Sequence, residues 1–104
     1  MKRTHLEPSE RQKARAYSPA VITEGGRIVW TAGQTALADG NGRDISGHFE
    51  TQTRRVFALM DETLRRAGGT LADLVTMTVF IKEARYARPG MEIEIQGVAV
   101  IADG

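Results

Sequence analysis

A chain of 104 residues and 11.4 kDa holds one domain, near the size at which association with other copies adds useful burial. Lysine and arginine number 14 against 13 acidic residues, for a net charge of +1, so there is no electrostatic case for nucleic acid or an anionic membrane as the main partner. Cysteine is absent, which excludes disulfides and thiolate metal sites. No apolar run reaches membrane-spanning length, and the basic start is followed by Ser9-Glu10-Arg11 instead of the apolar stretch of a signal peptide. A cytoplasmic protein is expected.

Residues 1–16 are polar and without periodicity, which reads as a flexible arm, or as one ordered only against another subunit. Pro19 to Thr23 reads as a short strand, Glu24-Gly25-Gly26 as a turn and Arg27 to Gln34 as a second strand, so a hairpin is expected. Asp39-Gly40-Asn41-Gly42 is a loop. Between Ser46 and Ala67, Phe49, Val56, Phe57, Met60, Leu64 and Ala67 recur at helical spacing, with Ser46 as the expected N-cap and Gly68-Gly69 as the stop. Leu74 to Ile81 is apolar on both alternating faces, so both faces should meet something. In the last strand, Met91 to Ile101, Ile93 and Ile95 share one face and Glu92, Glu94 and Gln96 the other. That polar row is either a solvated face or the wall of a pocket.

Simple chemical motifs are weak. His5 and His48 have no ligand cluster around them, and neither singles out a serine for a nucleophilic triad. The paired glycines mark turns and match no phosphate-binding loop. Glu92 and Glu94 are paired carboxylates, yet such pairs on a strand are usually solvated surface.

Taken together, Tyr17-Ser18-Pro19-Ala20, Thr31-Ala32-Gly33-Gln34, Gln52-Thr53-Arg54, Val75 to Ile81 and Ile93 to Val100 resemble the RidA/YjgF family, also labelled endoribonuclease L-PSP. The likeness runs over about residues 17–101 in the family's order. It implies an α+β, chorismate-mutase-like fold with a mixed sheet packed on helices, assembled as a homotrimer with pockets between subunits. The resemblance also implies a deaminase activity: hydrolysis of small imines or enamines to a keto acid and ammonia, with no cofactor and no metal. In that chemistry an arginine binds the substrate carboxylate bidentately, as guanidinium geometry allows.

Carried over, Tyr17 matches the pocket tyrosine and Gly33 a backbone contact, while Ala32 stands where deaminase-type members have serine and Gln96 where they have glutamate. A carboxamide can position a water but cannot accept its proton. Relative to the family, the domain spanning 17–104 has a gap near 86–87 and lacks the second helix and the following strand, which carries the arginine. Arg88 reads as a loop residue, not its replacement. A unit left out is expected over a true deletion, because deletion would expose the apolar faces of Leu74 to Ile81 and leave an unpaired sheet edge.

The expected function is therefore a trimeric hydrolase acting on a small imine, enamine or related substrate in a pocket containing Tyr17, Ala32, Gly33 and Gln96. The alternative is a small-ligand-binding trimer without turnover. Ribonuclease activity ranks third, since a basic and aromatic RNA-binding surface is missing from the sequence.

Overall fold

The computed structural model describes residues 1–10, 18–81 and 90–103. Five strands and one long helix are defined there: β1 (Lys2–His5), β2 (Val21–Glu24), β3 (Arg27–Trp30), α1 (Phe49–Arg66), β4 (Leu74–Ile81) and β5 (Ile93–Ile101), with a 3-10 turn at Leu71–Asp73. β1 and β2 form one antiparallel pair; the other sheet has the order β3-β5-β4, also antiparallel. The α+β class follows from the sheet lying on α1.

Two local expectations change. Residues read as an arm contain β1, which pairs with β2 from Lys2 opposite Glu24 to His5 opposite Val21. Arg3 ties β1 to the body by donating to the carbonyls of Ala72 (2.9 Å) and Asp73 (2.8 Å). The hairpin between β2 and β3 does not form as a ladder. The chain bends at Gly25 and Gly26, whose φ values of +75° and +80° suit glycine, and each strand finds another partner, β1 and β5 respectively.

α1 is amphipathic as its period requires, but its buried stripe is Gln52, Val56, Met60 and Leu64. Phe49 is exposed. The N-cap is His48, without a side-chain cap bond, while Ser46 turns back to Asp44 through its hydroxyl and its amide. The stop is as expected: Gly68 takes φ +97°, the Gly69 amide donates to the Leu64 carbonyl (2.9 Å), and Arg27 donates to the Ala67 carbonyl (2.9 Å), a cation on the negative end of the helix dipole. The core joins Val56, Met60 and Leu64 of α1 to Ile93, Ile95 and Ala99 of β5, with Ala36 and Ile45 from the intervening loop.

Gln52 is fully buried and fully used. Its amide nitrogen donates to the carbonyls of Ile45 (2.9 Å) and Gly90 (2.7 Å), and its oxygen accepts from the Glu92 amide (2.8 Å). One side chain thus fixes the loop before α1 and the entry to β5.

Among the described residues β4 is an edge strand, with β5 as its sheet partner. Met77, Val79 and Ile81 share the face of the buried Gly97, Ile95 and Ile93 but remain exposed. On the other face Phe80 is exposed too. Both faces are expected to meet something, yet among the described residues neither is covered, and no second long helix or further strand lies beside β4. The gap near 86–87 lies outside those residues.

Three carboxylates hold turns. Asp61 accepts from Arg65 Nε (2.7 Å) and the Leu71 amide (3.0 Å), Asp44 from Ser46, and Asp39 from the amides of Arg43 (2.9 Å) and Asn41 (2.8 Å). These bonds hold all three below the ordinary carboxylate value, with Arg65 the leading cause for Asp61, the Ser46 hydroxyl for Asp44 and the Arg43 amide for Asp39. A depressed pKa contributes stability above the unfolded-state value of about 3.9 and loses it as pH falls through the folded value. Urea midpoints measured from about pH 5 down to about pH 2 are therefore expected to fall, and Asp61→Asn should flatten that fall. An unchanged pH slope would remove Asp61 from the account.

Candidate functional site

The site is built where β3 leaves the sheet. Thr31 still pairs with β5: its amide donates to the Gly97 carbonyl (2.9 Å), and its hydroxyl accepts from the Gly97 amide (2.8 Å). Pairing resumes at Gln34, which exchanges both backbone bonds with Ile95 (2.8 and 3.0 Å). Between them Ala32 and Gly33 oppose the single residue Gln96, the geometry of a β-bulge. A bulge removes backbone groups from the ladder and turns them toward whatever lies above the sheet.

What lies above is set by β5. Glu94, Gln96 and Val98 share one face, opposite Phe80, Thr78 and Thr76 of β4, and Trp30 stands opposite Val98 on β3. The Glu94 carboxylate rests on Gly33 so closely that a Cβ on that glycine would overlap it. Glycine at 33 is what lets the carboxylate lie across the bulge. Beside it a groove of about 380 Å3 is lined by Trp30, Thr31, Thr76, Met77, Thr78, Gln96, Gly97 and Val98. Its Trp30 is 75% exposed.

Of the residues singled out from sequence, Ala32, Gly33 and Gln96 therefore meet at one place, with Gln96 exposed on the groove floor. Tyr17 and Arg88 lie outside the described residues. The residue that sequence reasoning missed in this role is Glu94. Its strand face was legible, but only the bulge shows that it, and not Gln96, is the side chain that meets Gly33. The two histidines take no part in the groove's lining, and the described residues contain no cluster of three metal-binding side chains.

A family model described as endoribonuclease L-PSP matches residues 8–87. The chain belongs to the endoribonuclease L-PSP family. Among curated proteins, this L-PSP family member is similar to a RutC family protein of Pyrococcus abyssi, 33% identical over 67 residues, which are 64% of this chain and 51% of that protein. It is also similar to the mitochondrial protein mmf2 of Schizosaccharomyces pombe, 34% identical over 67 residues, 64% of this chain and 50% of the relative. The chain spans about half the length of the curated relatives it matches.

Solved structures bear on the L-PSP fold itself. A member of the conserved Rid family from Yersinia pestis superposes with a TM-score of 0.74 at 24% identity, covering 97% of this chain and all of that one. A YjgF/YER057c/UK114 family member from Mycobacterium tuberculosis gives 0.60 at 24% identity over 96% of this chain and 100% of its own. Both likenesses establish the RidA/YjgF fold. Among the described residues no helix is long and apolar enough to cross a membrane.

Proposed function

We propose that this family member is a cofactor-independent hydrolase of small imines or enamines, a cytoplasmic homotrimer whose pockets lie between subunits. The observation that carries the reading is the Glu94 carboxylate laid across the Ala32-Gly33 bulge, beside Gln96 and Thr78. It brings a base, a set of neutral hydrogen-bonding groups and backbone removed from a ladder to one point, as hydrolysis of a polarised C=N bond needs.

In this reading water adds to the imine carbon while Glu94 takes its proton. That proton passes to the nitrogen to complete a carbinolamine, whose hydroxyl proton then moves by way of Glu94 to the amine as the C–N bond breaks, leaving a carbonyl compound and ammonia. The Gln96 carboxamide holds the water by hydrogen bonds and stays neutral throughout. Assembly is supported by β4, on which Met77, Val79, Phe80 and Ile81 are all exposed, a run of apolar side chains that a neighbouring copy would cover.

The test generates 2-iminopropanoate in situ and follows its decay alongside the native mass of the protein. Faster decay than in buffer, from a trimer, is the expected result. Decay at the buffer rate would end the hydrolase reading. One observation favours a second reading, a ligand-binding trimer without turnover: Gln96 on the groove floor is a carboxamide, which positions a ligand but accepts no proton. Thermal stabilisation by small carboxylates with no consumption of imine would select it.

A further inference from the structure

We infer that the pocket selects imines and enamines bearing a flat apolar side group, with the indole of Trp30 as the selecting surface. The inference rests on the reading of the site given under Proposed function and adds to it a class of substrate.

It starts from the spacing of rows on the open face of the sheet. Trp30 pairs with Val98, Gln96 with Thr78, and Glu94 with Phe80. Successive same-face positions along β5 are about 7 Å apart. The reacting carbon is set by the Glu94 carboxylate at Gly33, in the row of Gln96, so the Trp30 row lies one step away. A ring joined through one methylene to the imine carbon spans that step, whereas a methyl group does not reach it.

The lining on that side is suited to a flat, uncharged group. Trp30 and Val98 supply apolar surface, while Thr76, Thr78 and Gln96 supply neutral polar groups. An indole face held open on a rigid strand offers stacking at little entropic cost, and aromatic pairs gain beyond the area they bury. The groove's volume of about 380 Å3 exceeds what a three-carbon imine fills and falls in the range of small-molecule sites.

The experiment compares kcat/KM for imines generated in situ from phenylalanine and from alanine by one amino acid oxidase, in the wild-type chain and in Trp30→Leu. The expected result is a preference of about tenfold or more for the phenylalanine-derived imine. In Trp30→Leu that preference should shrink to within about twofold, because the phenylalanine-derived imine loses several times more than the alanine-derived one, with the native mass unchanged. Equal use of both imines by the wild type would overturn the inference. So would a variant that slows both alike or changes the assembly, since Trp30 would then serve structure.

Because Trp30 is the only tryptophan, its emission decides the matter even without turnover. A shift on titration with 3-phenylpropanamide and none with propanamide supports selection while the hydrolase reading falls. No difference between the two amides overturns selection itself.

Discussion

Glu94→Gln is expected to lower kcat for imine hydrolysis by about 10²- to 10⁴-fold, the range that a positioned general base supplies, while leaving KM and the urea midpoint close to wild type. The carboxamide keeps the size of the side chain and its place over Gly33, so binding and packing persist. What is lost is the ability to take a proton from water. Gly33→Ala should reproduce part of the defect by another route, because the added Cβ occupies the space of the carboxylate and drives it off the bulge. Single-turnover kinetics on both variants check the argument. Wild-type rates in Glu94→Gln would move the base elsewhere, and the whole site with it.

The largest effect on stability is expected at Gln52. Gln52→Leu fills much the same volume but removes the acceptor of the Glu92 amide and one of the two donors to each of the Ile45 and Gly90 carbonyls, which keep the His48 and Gly47 amides. A buried group left unpaired costs about 1–3 kcal/mol. Since both carbonyls keep a backbone donor, the three losses do not add in full, and a loss of about 2–3 kcal/mol is expected. Against the 5–15 kcal/mol typical of a domain, that is a large fraction. Gln52→Glu separates hydrogen bonding from shape: the carboxylate still accepts from Glu92 but can donate to neither carbonyl, and it is expected to be at least as damaging as leucine. Urea denaturation decides it. A loss below about 1 kcal/mol in both variants would mean that water replaces the side chain.

Residue patterns carried much of this fold. The helix, its glycine stop and the alternation of β5 follow from period alone, whereas the apolar doubling of Leu74 to Ile81 points to covered faces that the described residues leave open. Other features depend on contacts far apart in sequence. Lys2 to His5 is too short and polar to announce a strand, and it is held by Arg3 reaching carbonyls at residues 72 and 73. Gln52 stands four residues before Val56 on the buried stripe, a spacing visible in sequence, but a polar residue there reads as surface until its three partners are known. The family resemblance brought Ala32, Gly33 and Gln96 to attention, and they do converge. Glu94 and Gln96 share a strand face, however, and which of them meets Gly33 is decided by one extra residue on the neighbouring strand. Periodicity cannot see a bulge of that kind.

The order of the larger sheet has a bearing on how the molecule comes to exist. Its central strand is β5, made after both of its neighbours. During synthesis β3 and β4 therefore emerge with no partner in the sheet, and α1 waits with Val56, Met60 and Leu64 facing side chains not yet polymerised. β1 and β2 can pair early, but β3 cannot, since its pairings to β5 bridge as many as 74 positions, from Arg27 to Ile101. Such long-range closure is slow, and meanwhile an uncharged strand stays open to wrong partners. The appearance of β5, not helix formation, is then the moment at which the larger sheet can close.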